Sequence, residues 1–199
     1  MSGGAVATLG AVDANDADVS TFDIDLTGAY GASTLGTFTA DNITSFDIDT
    51  GADGTSFTIT AFDIQETLGN ITITANEDFN IDTGFDVATS VGNVTIVATD
   101  TFDIGDGGDF IDEATTVGNI SITSSGSGTG VNLGEMDDAT TVGNITVVAN
   151  DDVTMDGASA ATTLGNINVT VDGGKTFTGN NDTFGAASST IGSITASGA

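Results

Sequence analysis

The chain has 199 residues, with 29 Asp and Glu against a single basic residue, for a formal net charge of −28; it contains no His, Cys, Pro or Trp. Nucleic-acid binding needs cations to neutralise phosphate, attraction to anionic lipid needs the same, and one Lys supplies neither. Thiol chemistry, Cys/His zinc sites and serine-type catalysis through an imidazole lack their residues.

High charge with few aromatics can signal disorder, but 38% of the residues are apolar and they recur with strict regularity. The opening "MSGGAVATLGAVDAND" has no basic n-region or continuous apolar h-region, so it does not read as a standard secretory signal. No stretch is long enough for a transmembrane helix, which predicts no membrane insertion.

"TLG" closes the first periodic phrase at Gly10 and returns at Gly36. Its fuller forms place Gly at Gly69, Gly92, Gly118, Gly143, Gly165 and Gly192. The intervals are 26, 33, 23, 26, 25, 22 and 27. A period in this range marks a solenoid. The single interval of 33 reads as an enlarged coil or insertion near residues 50–66, around "TSFTITAFDIQ".

Three segments fill each period. One is "FDID" and its relatives: Phe22/Ile24, Phe46/Ile48, Phe79/Ile81, Phe102/Ile104, Val131/Leu133 and Val153/Met155. Another is "GNITIT", with inward pairs Ile71/Ile73, Val94/Ile96, Ile120/Ile122, Ile145/Val147 and Ile167/Val169. A looser third carries Tyr30, Phe85, Phe110, Met136 and Phe184, with small residues such as Ala88, Ala114 and Ala139 after it. The apolar spacing is two rather than 3.6, and Thr, Val, Ile and Gly dominate, so these are strands. The predicted fold is all-β: a right-handed parallel β-helix of about eight coils, roughly 22–27 residues per coil, three short strands each, in one domain over residues 1–199. At the spacing of neighbouring strands the rod is on the order of 40 Å long. A single coil cannot bury its apolar face alone, which explains the copying. Asn70, Asn93, Asn119, Asn144 and Asn166 should form one column of hydrogen-bonding amides.

"LGNITITA", "VGNVTIVA", "VGNISITS", "VGNITVVA" and "LGNINVTV", within Thr67 to Asp172, resemble the repeats of bacterial and archaeal β-solenoid surface proteins: adhesin stalks, surface-layer proteins and fibre subunits. The resemblance is one of architecture. It implies a structural role and an extracellular or cell-surface location.

Four features are candidates for function. Carboxylates in register repel each other by about 1 kcal/mol per pair even in water. Asp23, Asp25, Asp47, Asp49, Asp82 and Asp103, with Asp106, Asp109 and Asp112 in "DIGDGGDFIDE", therefore form the candidate metal set. Ca²⁺, a hard cation taking oxygen ligands, is the expected ion; a solvated charge-repelling surface is the alternative. Outward Thr72, Thr95, Ser121, Thr146 and Thr195, with Asn168 as the exception, suggest mineral or ice binding. The flanking column mixes Thr74, Val97, Thr123, Val148 and Thr170 and is less uniform than such a face requires; β-branched residues also simply suit strands. N-x-[ST] occurs at Asn42, Asn70, Asn93, Asn119, Asn144, Asn168 and Asn181, which offers glycan acceptors. Polysaccharide cleavage by an Asp pair lacks the His, Arg or Lys that holds an anionic sugar, and no pair stands out for neutral glycans. The expectation is that the protein is not an enzyme.

Both ends of the sequence read as repeat without a helical cap. Uncapped coils offer unpaired strand edges, and head-to-tail contacts between copies propagate into filaments. The expected partner is a second copy, with Ser193–Ala196 of one subunit against Val6–Val12 of the next.

Overall fold

The structure, a computed structural model, describes Val6 and residues 8–26, 31–51, 56–76, 78–100, 102–126, 130–159, 161–179 and 190–198, the side chains of 15, 16, 105–108, 190, 191 and 194 excepted. Among the described residues every element is a strand, every pairing is parallel, and no helix is long and apolar enough to cross a membrane. The fold is a parallel β-solenoid of about 7 turns. Phe22, Phe46, Ile71, Val94, Ile120, Ile145, Ile167 and Ile194 pair one to the next through eight successive rungs. The spacing along that column runs from 22 to 27 residues, as the sequence predicts.

Among the described residues the first five rungs have three strand-bearing faces, and the leading and trailing ones continue to the eighth. On the leading face, Leu9, Leu35, Ile59, Ile81, Ile104, Leu133, Met155 and Gly179 stack in order. On the middle face, Val12, Phe38, Phe62, Phe85 and Ile111 stack. The trailing face carries the Phe22-to-Ile194 column. A two-residue strand before the trailing face, such as Ser90–Val91 or Thr116–Val117, adds a fourth short pairing to the three predicted segments. It exists because Val91, Val117 and Val142 are themselves buried and stack on each other. In rungs two and three the corners stay within the ladder, so Ser33–Thr50 and Ser56–Ala75 run as single long strands.

Two predicted alignments change. Phe22/Ile24 and Phe46/Ile48 stack beneath Ile71/Ile73 on the trailing face, not beneath Phe79/Ile81. Phe79 follows Phe57 on the leading face. The 33-residue interval is likewise no enlarged coil near residues 50–66: Phe46 pairs with Ile71, an ordinary turn of 25 residues. Gly36 follows Leu35 on the leading face, whereas Gly69 follows Leu68, which stacks on Ile43 at the corner before the trailing face. The same tripeptide serves two corners. Tyr30, Phe184 and Asn181 lie outside the described residues.

Among the described residues the inside is apolar except for Ser33, Thr50, Ser124 and Asp151. Phe22 and Phe46 stack with centroids 5.3 Å apart and planes 3° from parallel, and Phe38 and Phe62 do the same at 5.2 Å. Phe46 meets Phe62 edge-on at 4.7 Å, which joins the middle and trailing columns. Such ring pairs add about 0.5–1.5 kcal/mol beyond area burial. The trailing column turns aliphatic at the third rung with Ile71, and on the leading face Val131 and Val153 follow Phe102 in the sixth and seventh.

The corner before the trailing face is held by side chains. Asn70 Oδ1 accepts from the Asn93 backbone N–H at 3.0 Å and from Asn93 Nδ2 at 3.3 Å. Asn119 and Asn144 repeat both bonds on the Asn below, and Asn166 and Ser193 repeat the backbone one. Each Asn thus satisfies an N–H that the turn would otherwise leave open. The amides of Asn93, Asn119 and Asn144, three of the N-x-[ST] asparagines, are engaged in this ladder. Asn42 Nδ2 donates to Asp18 at 2.8 Å and Glu66 at 2.9 Å.

Candidate metal centre

The middle face gathers acid because its repeated tripeptide, Phe62-Asp63-Ile64 or Phe85-Asp86-Val87, alternates inward and outward. The apolar residues are buried and the carboxylate between them faces out. Asp13, Thr39, Asp63, Asp86 and Asp112 form one column. The neutral Thr39 breaks the run, and its hydroxyl donates to Asp13 at 3.2 Å. From Asp63 to Asp112 three carboxylates stack without a spacer. Partial burial, then repulsion from Asp63, Glu113 and Asp112, pushes the Asp86 carboxyl up from 3.8 to about 6.

A raised carboxyl pKa makes the folded state bind protons more tightly than the unfolded chain. The native state is therefore penalised above about pH 6 at this residue and relieved as pH falls toward 4. We expect Asp86→Asn to raise Tm at pH 7 and to have little effect at pH 4. Melting curves across that range check it; a larger gain at pH 4 would reverse the sign.

Beside this column, the pairing of Phe102–Asp109 with Val131–Glu135 slips. Leu133 pairs with Ile104, but Glu135 pairs with Asp109. The bulge brings Asp109 against the next rung. Asp109, Glu135 and Asp137 each place a carboxylate oxygen within 4.8 Å of the others, and this group could hold a metal ion. Burial, then Asp112, Asp137 and Asp138, raises the Asp109 pKa. Glu113 nearby adopts a left-handed φ of 62°, an uncommon conformation for a residue with a side chain. Its N–H bonds Asp112 Oδ1 at 2.9 Å, which turns the chain sharply beside the acids. A set of three carboxylates suits a hard cation with oxygen ligands.

Of the nine predicted ligands, Asp109 and Asp112 belong to this region. Asp23 pairs with Asp47 and Asp25 with Asp49, all exposed on the trailing face. Asp103 lies on the leading face between Asn80 and Asn132. Asp82 follows that face and accepts from Asn80 Nδ2 at 2.6 Å. The predicted set is therefore spread over three faces instead of one. Asp106 lies in the strand Phe102–Asp109, with its side chain outside the described residues. Sequence reading missed Asp63, Asp86, Glu135 and Asp137. The signal for the first two was the apolar-Asp-apolar pattern; Glu135 and Asp137 carry no such mark.

The lone basic residue lies elsewhere. Lys175 Nζ meets the buried Asp151 carboxylate at 2.5 Å. Hydrogen bonding to Lys175 lowers the Asp151 pKa, and the same bond raises that of Lys175. The pair joins the seventh rung to the start of the eighth.

No family model, curated protein or solved structure matches this chain.

Proposed function

We propose that the protein is a structural β-solenoid, a subunit of an extracellular filament or surface layer, with Ca²⁺ held by Asp109, Glu135 and Asp137 beside its acidic middle face, and not an enzyme. The observation that carries the reading is the ladder itself, in which rungs bury their apolar columns only against neighbouring rungs. Leu9 is 53% exposed, and Val12, Phe22, Ile24 and Leu26 are only partly covered. The same columns are fully buried two rungs on, at Ile59, Phe62, Ile71, Ile73 and Ala75. A further rung laid against the first described one covers them and pairs its strand edge. A second copy supplies such a rung. The columns set its register: Ser193 belongs with Thr21, Ile194 with Phe22 and Ala196 with Ile24. Ser193–Ala196 therefore meets Thr21–Ile24 across the joint, not Val6–Val12. The charge of −28 opposes lateral clumping and favours thin fibres at low salt.

Negative-stain images and sedimentation test this. The protein should form unbranched fibres, and a charged helical extension fused after Ala199 should stop them without unfolding the rungs. A strictly monomeric protein at high concentration with calcium present refutes the filament.

The cation is tested separately. Millimolar Ca²⁺ should raise Tm beyond the effect of NaCl at matched ionic strength, because binding to the folded state stabilises it by mass action. The gain should vanish in the Glu135→Gln/Asp137→Asn double variant. Equal effects of the two salts would mean screening alone.

A further inference from the structure

The trailing face changes character along the rod. Its outward columns begin with Asp23, Asp25, Asp47 and Asp49 in the first two rungs. From Thr72 and Thr74 to Thr195 and Ser197, six rungs follow without one charged residue in either column. The Asn ladder flanks them and is also neutral. In a protein with 29 acidic residues, a neutral field of this extent sets one face apart.

The field is a regular lattice. The trailing strands pair over five consecutive residues from the third rung to the eighth with no register shift. The leading and middle faces contain bulges. Outward groups therefore repeat at about 4.8 Å between rungs and about 6.7 Å along each strand. Thr and Val are stiff at χ1, so their terminal groups hold these spacings. Val97 and Val148 stand in the second column at 42% exposure, on the open surface and not in the core. Val has nearly the shape of Thr, with a methyl in place of the hydroxyl. From Thr74 to Thr170 the column is mixed in polarity but β-branched throughout.

We infer that this face binds the surface of ice. An ice face is uncharged, flat and periodic in two directions, with spacings of the same order as this lattice. Thr95, Thr123 and Thr146 can hydrogen-bond its oxygens, while the methyls of Val97 and Val148 rest between them. An ionic mineral would need the charge this face lacks. A sugar chain would need aromatic platforms, and neither column contains an aromatic residue. A second copy laid face to face would bring Asp23, Asp25, Asp47 and Asp49 into the joint and set two bodies of charge −28 against each other. The inference does not depend on filament formation.

The test uses the whole chain with ice itself as the probe. Growing ice should take up the protein, and single crystals should become faceted with a gap between melting and freezing points. Thr123→Tyr puts a bulky ring at the centre of the lattice and should reduce uptake at least fivefold. Thr146→Asp, a second outward change, should do the same. Thr60→Tyr, exposed but away from this face, should leave uptake unchanged. Circular dichroism of all three variants establishes that the rungs remain folded. Wild-type protein excluded from ice like albumin overturns the inference, as does full uptake by folded Thr123→Tyr. A wild-type dimer that Thr123→Tyr dissociates would overturn it too, by showing that this face contacts a second copy.

Discussion

Ile120→Asp should abolish cooperative folding, while Ser121→Asp, one residue on, should leave the protein folded. Ile120 is 1% exposed and sits between Val94 and Ile145 in a column that runs through all eight rungs. A carboxylate there has no cation in reach and loses its water; leaving a buried charge unpaired costs about 3–5 kcal/mol. Whole domains are stable by only about 5–15 kcal/mol. The damage also spreads, since each rung of a solenoid is supported only by its neighbours. Ser121 faces out between Thr95 and Thr146, and its replacement meets solvent. Thermal melts by circular dichroism separate the two. Similar losses at both sites would show that the inward and outward sets are misassigned.

The second large effect belongs to a glycine. A Cβ added at Gly69 would stand 1.9 Å from the Thr44 carbonyl oxygen, whereas one added at Gly10 meets nothing within 4 Å. The obstacle at Gly69 is backbone of the rung below and cannot rotate away. Gly69→Ala should cost about 3 kcal/mol, the upper part of the usual range for overpacking. That lowers Tm by roughly 6–12 °C in a chain of this size. Gly10→Ala should be close to neutral. These two glycines look alike in the sequence, each following Thr-Leu, but Gly10 lies in the first described rung, so unequal melting temperatures report place in the stack and not the phase of the first two rungs.

That phase marks the limit of what the sequence discloses. From Ile71 onward the "GNITIT" phrase identifies strand, face and register, and every predicted inward pair on the trailing face is buried. The first two rungs were harder because Phe-Asp-Ile occurs on all three faces: at Phe22–Ile24 on the trailing, Phe62–Ile64 on the middle and Phe102–Ile104 on the leading. Alternation with period two says which side chains point in, and any face satisfies it. Only the stacking partners distinguish the faces, and those are a full turn away in sequence.

The acidic site was partly legible. "DIGDGGDFIDE" pointed to Asp109 and Asp112 through its density of charge and glycine. Glu135 and Asp137 come from the following rung and reach Asp109 only because the pairing slips after Leu133. A bulge of that kind leaves no periodic signal. Asp86 carries no mark in the sequence beyond the ordinary alternation of a strand, which the acid after Phe85 follows; its raised pKa arises from partial burial first, then from Asp63, Glu113 and Asp112 around it.

The register has a mechanical consequence. Neighbouring rungs are joined by hydrogen bonds that lie along the rod axis, so tension applied at the two ends of the rod loads one interface at a time. The rod should open like a zip, and each event should release one turn, between 22 and 27 residues. At full extension that is roughly 75–95 Å of chain. A force–extension trace would then carry a sawtooth whose unequal teeth repeat the intervals of the sequence, with Gly69 and Asn70 marking one boundary and Gly165 and Asn166 another. Tension across the axis would meet many bonds of a strand together, and the same rod would resist far longer.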